Sequence, residues 1–286
     1  MNRRSFIKRG ALWVPPLFAV GRARGQALTL SDPAMVGRTR PAAASATTEP
    51  DDISGLELWL KADGNVYSDN GTTACNDGDT VYRWNDASTN GRYFVSTTST
   101  DRPTYKTGIL NSKPVIRFDG SNDYLYSASL FTSGFTSASL FVVLKIDADP
   151  PAAGGQTGAW EFGGQISLNV HFPWTDGTFY EDFGTTSRKT LGNLTDSFST
   201  DWRLYNAETA SGNFTVRVDG ATVYNTATNT VGWASARAAC TIGRSEDEGA
   251  SYFLDGDVAE VCVYSAVLSS GDRASLESYF ASKYGI

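Results

Sequence analysis

The chain has 286 residues, of which 41% are hydrophobic, 12% are aromatic and 19% are charged. That length corresponds to one large domain or two small ones, and the apolar fraction is enough for a substantial core. The charged fraction lies below the roughly 25% of an ordinary soluble domain. This profile is typical of a β-rich extracellular sandwich, and it excludes a coiled coil, a helical bundle and a disordered chain.

The charge of the chain is unevenly distributed. Lys and Arg total 24 and Asp and Glu total 31, which gives a net charge of −7. Six of the basic residues and none of the acids lie in the first 27, which leaves 18 basic against 31 acidic residues, a net charge of −13. A body this acidic repels nucleic-acid phosphates and anionic lipid surfaces. Nucleic acid is therefore excluded as a partner, and neutral sugars, cations and basic surfaces remain.

The N-terminus carries the pattern of an export signal. Paired Arg3 and Arg4 are followed by Phe6-Ile7-Lys8, which resembles the twin-arginine motif. The apolar stretch over 11–20 is too short for a bilayer-spanning helix of about 20 residues, and Gly25-Gln26-Ala27 suits signal cleavage. We expect a twin-arginine signal peptide at 1–27, no transmembrane segment, and a periplasmic or extracellular mature chain. The alternative is a basic amphipathic arm.

Residues 28–54 are rich in Pro, Ala, Ser and Thr, and they are predicted to form a leader or linker. From residue 55, short apolar runs alternate with Gly, Asn, Asp and Ser clusters, which indicates strands joined by turns. The predicted strands are 56–62, 80–84, 92–97, 114–118, 123–128, 138–146, 166–172, 178–183, 202–208, 213–218, 221–225, 238–243 and 253–264. Asp219-Gly220 predicts a two-residue hairpin turn, and Asp119-Gly120 predicts another turn.

Only the end of the chain is predicted to be helical. Ser269 and Asp272 suit a helix start, and Gly285 suits its end. The apolar residues that recur at helical spacing between them are Leu276, Tyr279, Phe280 and Tyr284. About a dozen strands and one helix predict an all-β, antiparallel two-sheet jelly-roll sandwich over 55–286 with a short C-terminal helix.

A set of short motifs runs through the predicted domain in a fixed order. They are Gly55–Asp63 (GLELWLKAD), Gly78–Val81 (GDTV), Trp84–Asp86 (WND), Arg102–Tyr105 (RPTY), Pro114–Gly120 (PVIRFDG), Leu254–Val261 (LDGDVAEV) and Tyr279–Ile286 (YFASKYGI). Together they resemble the bacterial LamG-like jelly-roll domains of the concanavalin A-like lectin and glucanase superfamily. The resemblance implies two packed sheets and not one activity, because that superfamily includes lectins, adhesion domains, glycoside hydrolases and polysaccharide lyases.

The sequence lacks the carboxylate motif of the jelly-roll glucanases, Glu-x-Asp-x-x-Glu on one strand. The nearest set is Asp255, Asp257 and Glu260, where strand alternation predicts that Glu260 lies on the opposite face. The alginate-lyase pattern is also missing, since Gln165-Ile166 is followed by Ser167. An exported carbohydrate-binding or adhesion module is therefore favoured. A glycan-cleaving enzyme of the same fold and a structural envelope protein without a ligand remain alternatives.

The densest cluster of aromatic and polar residues runs from His171 to Asp182. Sugar rings pack their C–H faces on aromatic rings, and their hydroxyls bind carboxylates and amides. The predicted contacts with a polysaccharide or cell-surface glycan are Trp174, Asp176, Tyr180 and Asp182. The weaker candidates for catalysis are His171, Asp176 and Tyr180, and a groove lined by these three residues and Arg188 would favour an enzyme. The alternative is a structural His171 that ends a strand and bonds a loop carbonyl. Phe179 is predicted to be core, and the acidic body predicts a neutral or cation-bridged ligand.

Calcium is the one cofactor that the resemblance suggests, because lectin-like sandwiches often hold it at a sheet rim. Asp119, Asn122 and Asp123 lie in one turn-rich segment that offers oxygen ligands, although Asp also caps turns routinely. Cys240 and Cys262 lie in apolar runs and are expected to be core residues, with a bridge between them as the alternative.

Overall fold

The structure is a computed structural model that describes residues 48–127, 135–147, 156–162, 170–233, 240–247 and 250–286. The predicted signal peptide, residues 28–47 of the predicted leader and most of the predicted strand 166–172 lie outside these residues. Among the residues described, no helix combines the length and the apolar character needed to cross a membrane.

The described chain is mostly β-strand. Its strands are β1 (Leu56–Lys61), β2 (Val66–Tyr67), β3 (Arg83–Asn85), β4 (Tyr93–Val95), β5 (Thr104–Leu110), β6 (Lys113–Asp119), β7 (Leu125–Ser127), β8 (Ser137–Ile146), β9 (Trp160–Glu161), β10 (Thr178–Glu181), β11 (Lys189–Asn193), β12 (Arg203–Ala210), β13 (Asn213–Val218), β14 (Ala221–Thr226), β15 (Cys240–Ile242), β16 (Arg244–Asp247), β17 (Ala250–Phe253) and β18 (Asp255–Tyr264). Its helices are α1 (Thr195–Thr200) and α2 (Ser270–Tyr284).

Two antiparallel sheets carry the fold. The larger sheet has the order β14-β13-β12-β8-β18-β6-β5, and β1 also pairs with β18. The smaller has the order β2-β3-β4-β7-β15-β9. Two-stranded ribbons, β10-β11 and β16-β17, complete the described part. This architecture confirms the predicted all-β antiparallel sandwich with a C-terminal helix.

The central strand β8 is buried on both faces, which explains its continuous apolar sequence. Leu140 and Val142 enter the core between the two sheets, where they join Trp84 and Phe94 of the smaller sheet. Phe141 and Val143 point the other way, into a second core beneath α2. Cys240 lies in the first core and Cys262 in the second, so these two cysteines do not pair with each other.

Helix α2 begins and ends where the local sequence predicts, and it buries the residues that the local sequence predicts. The Ser269 side chain accepts a hydrogen bond from the Asp272 backbone N–H, and Gly285 ends the helix at φ 74°. The four apolar residues predicted to form its inner face, Leu276, Tyr279, Phe280 and Tyr284, are all buried. The Phe280 ring stacks on Phe141 at a centroid distance of 6.4 Å, which anchors the helix on β8.

Contacts with the sandwich begin a few residues before the predicted start at residue 55. Pro50–Asp52 forms a 3₁₀ turn, and the Tyr264 hydroxyl donates a hydrogen bond to the Pro50 carbonyl at 2.9 Å. Ile53 is buried in the core beneath α2. The end of the predicted linker is therefore part of the fold.

Several elements were not predicted from the sequence, chiefly β5, β11 and the short helix α1. β5 (TYKTGIL) and β11 (KTLGN) are polar and contain Gly, so they lack the apolar alternation that identifies a half-buried strand. They are strands because of their pairing: β5 pairs with β6, and β11 pairs with β10.

Candidate functional site

The outward face of the smaller sheet can be traced through its register. Arg83 pairs with Val95, Val95 with Tyr126, Tyr126 with Thr241 and Thr241 with Glu161. The neighbouring residues of the same strands, Trp84, Phe94, Leu125, Ile242 and Trp160, are buried in the core between the sheets. Because side chains alternate along a strand, the row from Arg83 to Glu161 faces away from that core.

The segment singled out in the sequence extends the smaller sheet beyond β9. The Phe172 N–H donates to the Thr157 carbonyl at 2.9 Å, and His171 and Tyr180 exchange two backbone hydrogen bonds at 3.1 Å. Phe172 and Phe179 enter the core, as predicted for Phe179. His171 and Tyr180 are consequently directed to the other side of the backbone.

Four aromatic rings and one arginine meet there, and we call them the aromatic patch: His171, Trp174, Tyr180, Tyr252 and Arg188. The His171 ring contacts Trp174, Tyr252 and Tyr180 at centroid distances of 4.5, 5.0 and 5.9 Å. The Arg188 guanidinium lies 4.4 Å from the centre of the Tyr180 ring. Trp174 and Tyr180 are half-buried, so each combines a fixed orientation with an accessible edge or face.

His171 lies at the base of this patch and is fully buried. Desolvation, reinforced by the Arg188 charge, lowers the pKa of His171 to about 4, although the Thr157 backbone opposes the shift. The imidazole is therefore neutral at physiological pH and is shielded from a ligand. Asp176, its predicted acidic partner, is exposed and instead accepts a hydrogen bond from the Thr178 backbone N–H at 2.9 Å. The three residues proposed for catalysis are thus not assembled as an acid–base set.

Asp182, predicted to bind a ligand, is fully buried. This finding corrects its proposed role, because a buried carboxylate offers nothing to a sugar on the surface. The preceding residue, Glu181, is also fully buried, and its carboxylate accepts hydrogen bonds from the Tyr205 hydroxyl at 2.7 Å and from two backbone N–H groups. Burial raises the pKa of Glu181 to about 7, against the effect of those hydrogen bonds.

The sequence analysis did not identify Glu181 as a buried residue, although the pattern that predicts its burial is present. The period-two alternation that marks Phe179 and Phe183 as core residues also places Glu181 on the inner face. A carboxylate there needs internal hydrogen-bond donors, and Tyr205 of β12 supplies one from the opposite sheet.

The carboxylates of β18 have structural partners. Asp257 forms a two-pronged ion pair with Arg117 at 2.8 and 2.7 Å. Glu260 is fully buried and accepts hydrogen bonds from the hydroxyls of Tyr279 and Tyr284. The prediction that Glu260 faces away from Asp257 is wrong, because the register of β18 against β8 shifts between Val258 and Glu260 and turns Glu260 toward α2.

The segment predicted to bind calcium forms a capped turn between β6 and β7. The Asp119 carboxylate accepts from the Ser121 N–H at 2.9 Å, and Asp123 accepts from the Asp119 N–H at 3.2 Å. The Asn122 side chain donates to the Thr100 carbonyl at 2.8 Å. Burial and the neighbouring carboxylates Asp119 and Asp101 raise the pKa of Asp123 to about 6. Within the described ranges, no three potential metal-ligating side chains of His, Cys, Asp or Glu converge.

No family model matches the chain, and no curated protein matches it significantly. Solved structures are similar in fold. A Trypanosoma rangeli sialidase in complex with 2,3-difluoro-KDN has 13% identity and a TM-score of 0.53 over 82% of this chain and 35% of its own. The receptor-binding domain of botulinum neurotoxin mosaic serotype C/D has 11% identity and a TM-score of 0.55 over 81% of this chain and 52% of its own.

A third similar structure, the receptor-binding domain of botulinum neurotoxin D, has 10% identity and a TM-score of 0.53 over 81% of this chain and 54% of its own. The chain therefore spans between about a third and about half of the solved chains that it matches. These likenesses place it in the class of all-β sandwiches. At such identities they define the fold and not the activity.

Proposed function

We propose that the mature chain is an exported carbohydrate-binding or adhesion module that holds a polysaccharide on the aromatic patch. The observation that carries this proposal is the pair of half-buried rings, Trp174 and Tyr180, fixed edge to face at a centroid distance of 6.2 Å. Rings that are already immobilised lose little conformational entropy when a ligand binds, which favours their use as contact surfaces. The resemblance of the sequence motifs to LamG-like domains supports a carbohydrate ligand, since that superfamily includes lectins.

The polar groups around these rings suit sugar hydroxyls. Asp176 is exposed at the turn between Trp174 and Tyr180, and the Arg188 guanidinium, stacked on Tyr180, presents several N–H donors. We therefore assign ligand contact to Trp174, Asp176, Tyr180 and Arg188. The His171 ring packs against Trp174, and the Tyr252 ring packs against His171.

Glycan cleavage is the second candidate function, and the arrangement of acids weighs against it. Hydrolysis of a glycosidic bond ordinarily uses two carboxyl groups that flank the bond. Of the three acids between residues 170 and 193, Asp176 is exposed while Glu181 and Asp182 are fully buried. A binding role needs no such pair and is consistent with the half-buried rings of Trp174 and Tyr180.

The test is retention of the mature protein, residues 28–286, on polysaccharides first identified with a glycan array. Trp174→Ala is expected to abolish retention because it removes the principal sugar-stacking surface. The melting temperature is expected to change by no more than about 2–4 °C, the shift that corresponds to roughly 1 kcal/mol in a domain of this size.

Trp202→Ala is the matched control. Trp202 is also half-buried, but it packs against the core beneath α2 and not against the aromatic patch. This variant is expected to retain full binding. A large loss of stability in Trp174→Ala, or equal loss of binding in both variants, would contradict the proposal.

A further inference from the structure

A second group of residues on the outward face of the smaller sheet has the features of a ligand site. The Arg83 guanidinium lies 3.8 Å from the centre of the Tyr93 ring. Its Nε donates to Asn85 Oδ1 at 2.5 Å, and its Nη1 donates to Asn70 Oδ1 at 3.0 Å. Tyr93 is 43% exposed, which is more than any other large hydrophobic side chain among the described residues.

The contacts of Arg83 are all with uncharged groups, a tyrosine ring and two asparagine side chains. Four other arginines form ion pairs with carboxylates at 2.7–3.0 Å: Arg92 with Glu57, Arg117 with Asp257, Arg203 with Asp219 and Arg217 with Glu208. Across the described residues, no ion pair joins Arg83 to an acid. In a body with a net charge of −13, this arginine retains a full positive charge on an aromatic platform.

The surroundings hold Arg83 in place. The loop at Gly71 packs along the arginine, since a Cβ at Gly71 would lie 3.6 Å from its Cδ and Nε. Asp69 organises that loop by accepting hydrogen bonds from the N–H groups of Gly71, Thr72 and Thr73. Asp69 is therefore engaged by its own loop, and Asn70 is positioned to orient the guanidinium.

We infer that Arg83, Tyr93, Asn70 and Asn85 form a subsite for an acidic sugar residue, so that the ligand of this module is a carboxylate-bearing polysaccharide. The inference rests on the proposed carbohydrate-binding function and specifies its ligand class. The Tyr93 ring receives the C–H face of the sugar, and the guanidinium binds the carboxylate through charge-assisted hydrogen bonds. The side-chain N–H groups of the two asparagines donate to neighbouring oxygens, because their Oδ1 atoms already accept from Arg83.

The position of this subsite favours an extended ligand. Arg83 and Glu161 lie in one row across β3, β4, β7, β15 and β9, on the side of the sheet away from the core, and Thr241 and Glu161 at the far end of that row are buried. Four inter-strand steps of about 4.8 Å place the two ends of the row roughly 19 Å apart. The aromatic patch lies beyond β9, so a chain of several sugar residues is needed to reach both sites. The net negative charge of the body does not prevent binding of an acidic polysaccharide, because that charge is screened over about 8 Å at physiological ionic strength. Arg83, by contrast, acts on the ligand in direct contact.

The experiment measures the affinity of the mature protein for polygalacturonate, alginate and hyaluronan, each beside its carboxyl-reduced form. Wild type is expected to bind at least one acidic polymer about tenfold more tightly than its reduced form, and the preference is expected to weaken as salt is raised. Arg83→Gln is expected to remove the preference while leaving the weaker binding of the reduced form.

Arg102→Gln is the matched control for loss of one charge. Arg102 also stacks on a tyrosine, Tyr82, at 4.8 Å and donates to backbone carbonyls, but its ring partner does not belong to the proposed subsite. This variant is expected to keep the preference. Tyr93→Ala, a surface substitution, is expected to weaken binding of both polymer forms and replaces Arg83→Gln if that variant fails to fold.

The possible failures are distinguishable. The acidic-sugar subsite is overturned if wild type binds none of the acidic polymers, prefers a reduced form, or keeps its preference after Arg83→Gln. If neutral polysaccharides are still retained through Trp174, the proposed function survives that result. If Trp174→Ala binds normally while Arg83→Gln loses the preference, the subsite stands and the role of the aromatic patch is wrong.

Discussion

His171 pairs with Tyr180, the residue before Glu181, and burial disfavours the charged forms of both His171 and Glu181. For His171 the folded-state pKa is lowered from 6.5 to about 4, so its contribution to stability is lost as pH falls from about 6.5 toward 4. For Glu181 the folded-state pKa is raised from 4.5 to about 7, so stability is lost as pH rises through that interval. As pH rises from about 4 to 7, His171 therefore increases the free energy of unfolding while Glu181 decreases it.

Glu181→Gln separates these contributions. The amide is neutral at every pH, so the variant is expected to gain stability relative to wild type as pH rises from 4.5 to 7. The full difference is on the order of 3 kcal/mol, from 1.36 kcal/mol per pKa unit. Thermal unfolding of both proteins at several pH values measures it.

Asp176→Asn is the control for this measurement, because Asp176 is exposed and its pKa is lowered, which leaves it ionised throughout the interval. The difference in stability between Asp176→Asn and wild type is expected not to change between pH 4.5 and 7. A flat difference for Glu181→Gln as well would show that its carboxylate is not buried as described.

At the scale of one element, α2 is a structural part of the domain. Phe280 is fully buried against Phe141, and Lys283 Nζ donates to the buried Glu260 at 2.7 Å. Removing the helix would expose the second core and leave the Glu260 charge without its hydroxyl and ammonium donors. Both effects are strongly destabilising.

Phe280→Ala is expected to lower the free energy of unfolding by about 3–5 kcal/mol, the usual cost of emptying a buried aromatic site. Truncation before Ser269 is expected to cost more. Ser282→Ala, on the exposed side of the same helix, is the control and is expected to change stability little. Urea denaturation measures the three effects, and an unchanged midpoint for Phe280→Ala would contradict the prediction.

The turn between β6 and β7 remains our proposed calcium site. Asp119 and Asp123 repel each other there, together with Asp101, and that repulsion contributes to the raised pKa of Asp123. A divalent cation would relieve it, and oxygen ligands of this kind suit calcium. Coordination requires ionised Asp123, so affinity is expected to fall as pH drops below about 6.

Calorimetry on chelator-treated protein tests this site. We expect a heat of calcium binding and a higher melting temperature, both abolished by Asp119→Asn. Asp77→Asn, an exposed acid outside the turn, is the control and is expected to bind calcium normally. Neither heat nor a stability shift in wild type would contradict the proposal.

At the scale of the whole molecule, charge separates the N-terminal segment from the body. All 31 acids follow the first 27 residues, which contain six basic residues. We propose that this basic segment is the twin-arginine export signal. Replacing Arg3 and Arg4 by Lys is expected to leave precursor in the cytoplasm, because that route reads the arginine pair itself. Fractionation and mass measurement check this, and normal processing of the Lys-Lys form would contradict it.

The sequence alone determined the features that depend on neighbouring residues. Asp219 and Gly220 take φ values of 50° and 76°, and Val218 pairs with Ala221, as the two-residue hairpin requires. The caps and buried face of α2 follow from helical spacing, and Phe179 follows from strand alternation. These signals act over a few residues, so they are visible without knowing the remainder of the fold.

The features that join distant residues depend on the folded chain and could not be predicted from the sequence. Pairing of β3 with β4 brings Arg83 to Tyr93, and a register shift in β18 turns Glu260 toward α2. Opposing sheets bury Glu181 against Tyr205, and burial likewise removes Asp182 from the surface. A carboxylate or guanidinium has the same local signature whether it is exposed, paired or buried. Its role is fixed by the long-range pairing that sets its solvation and its partners.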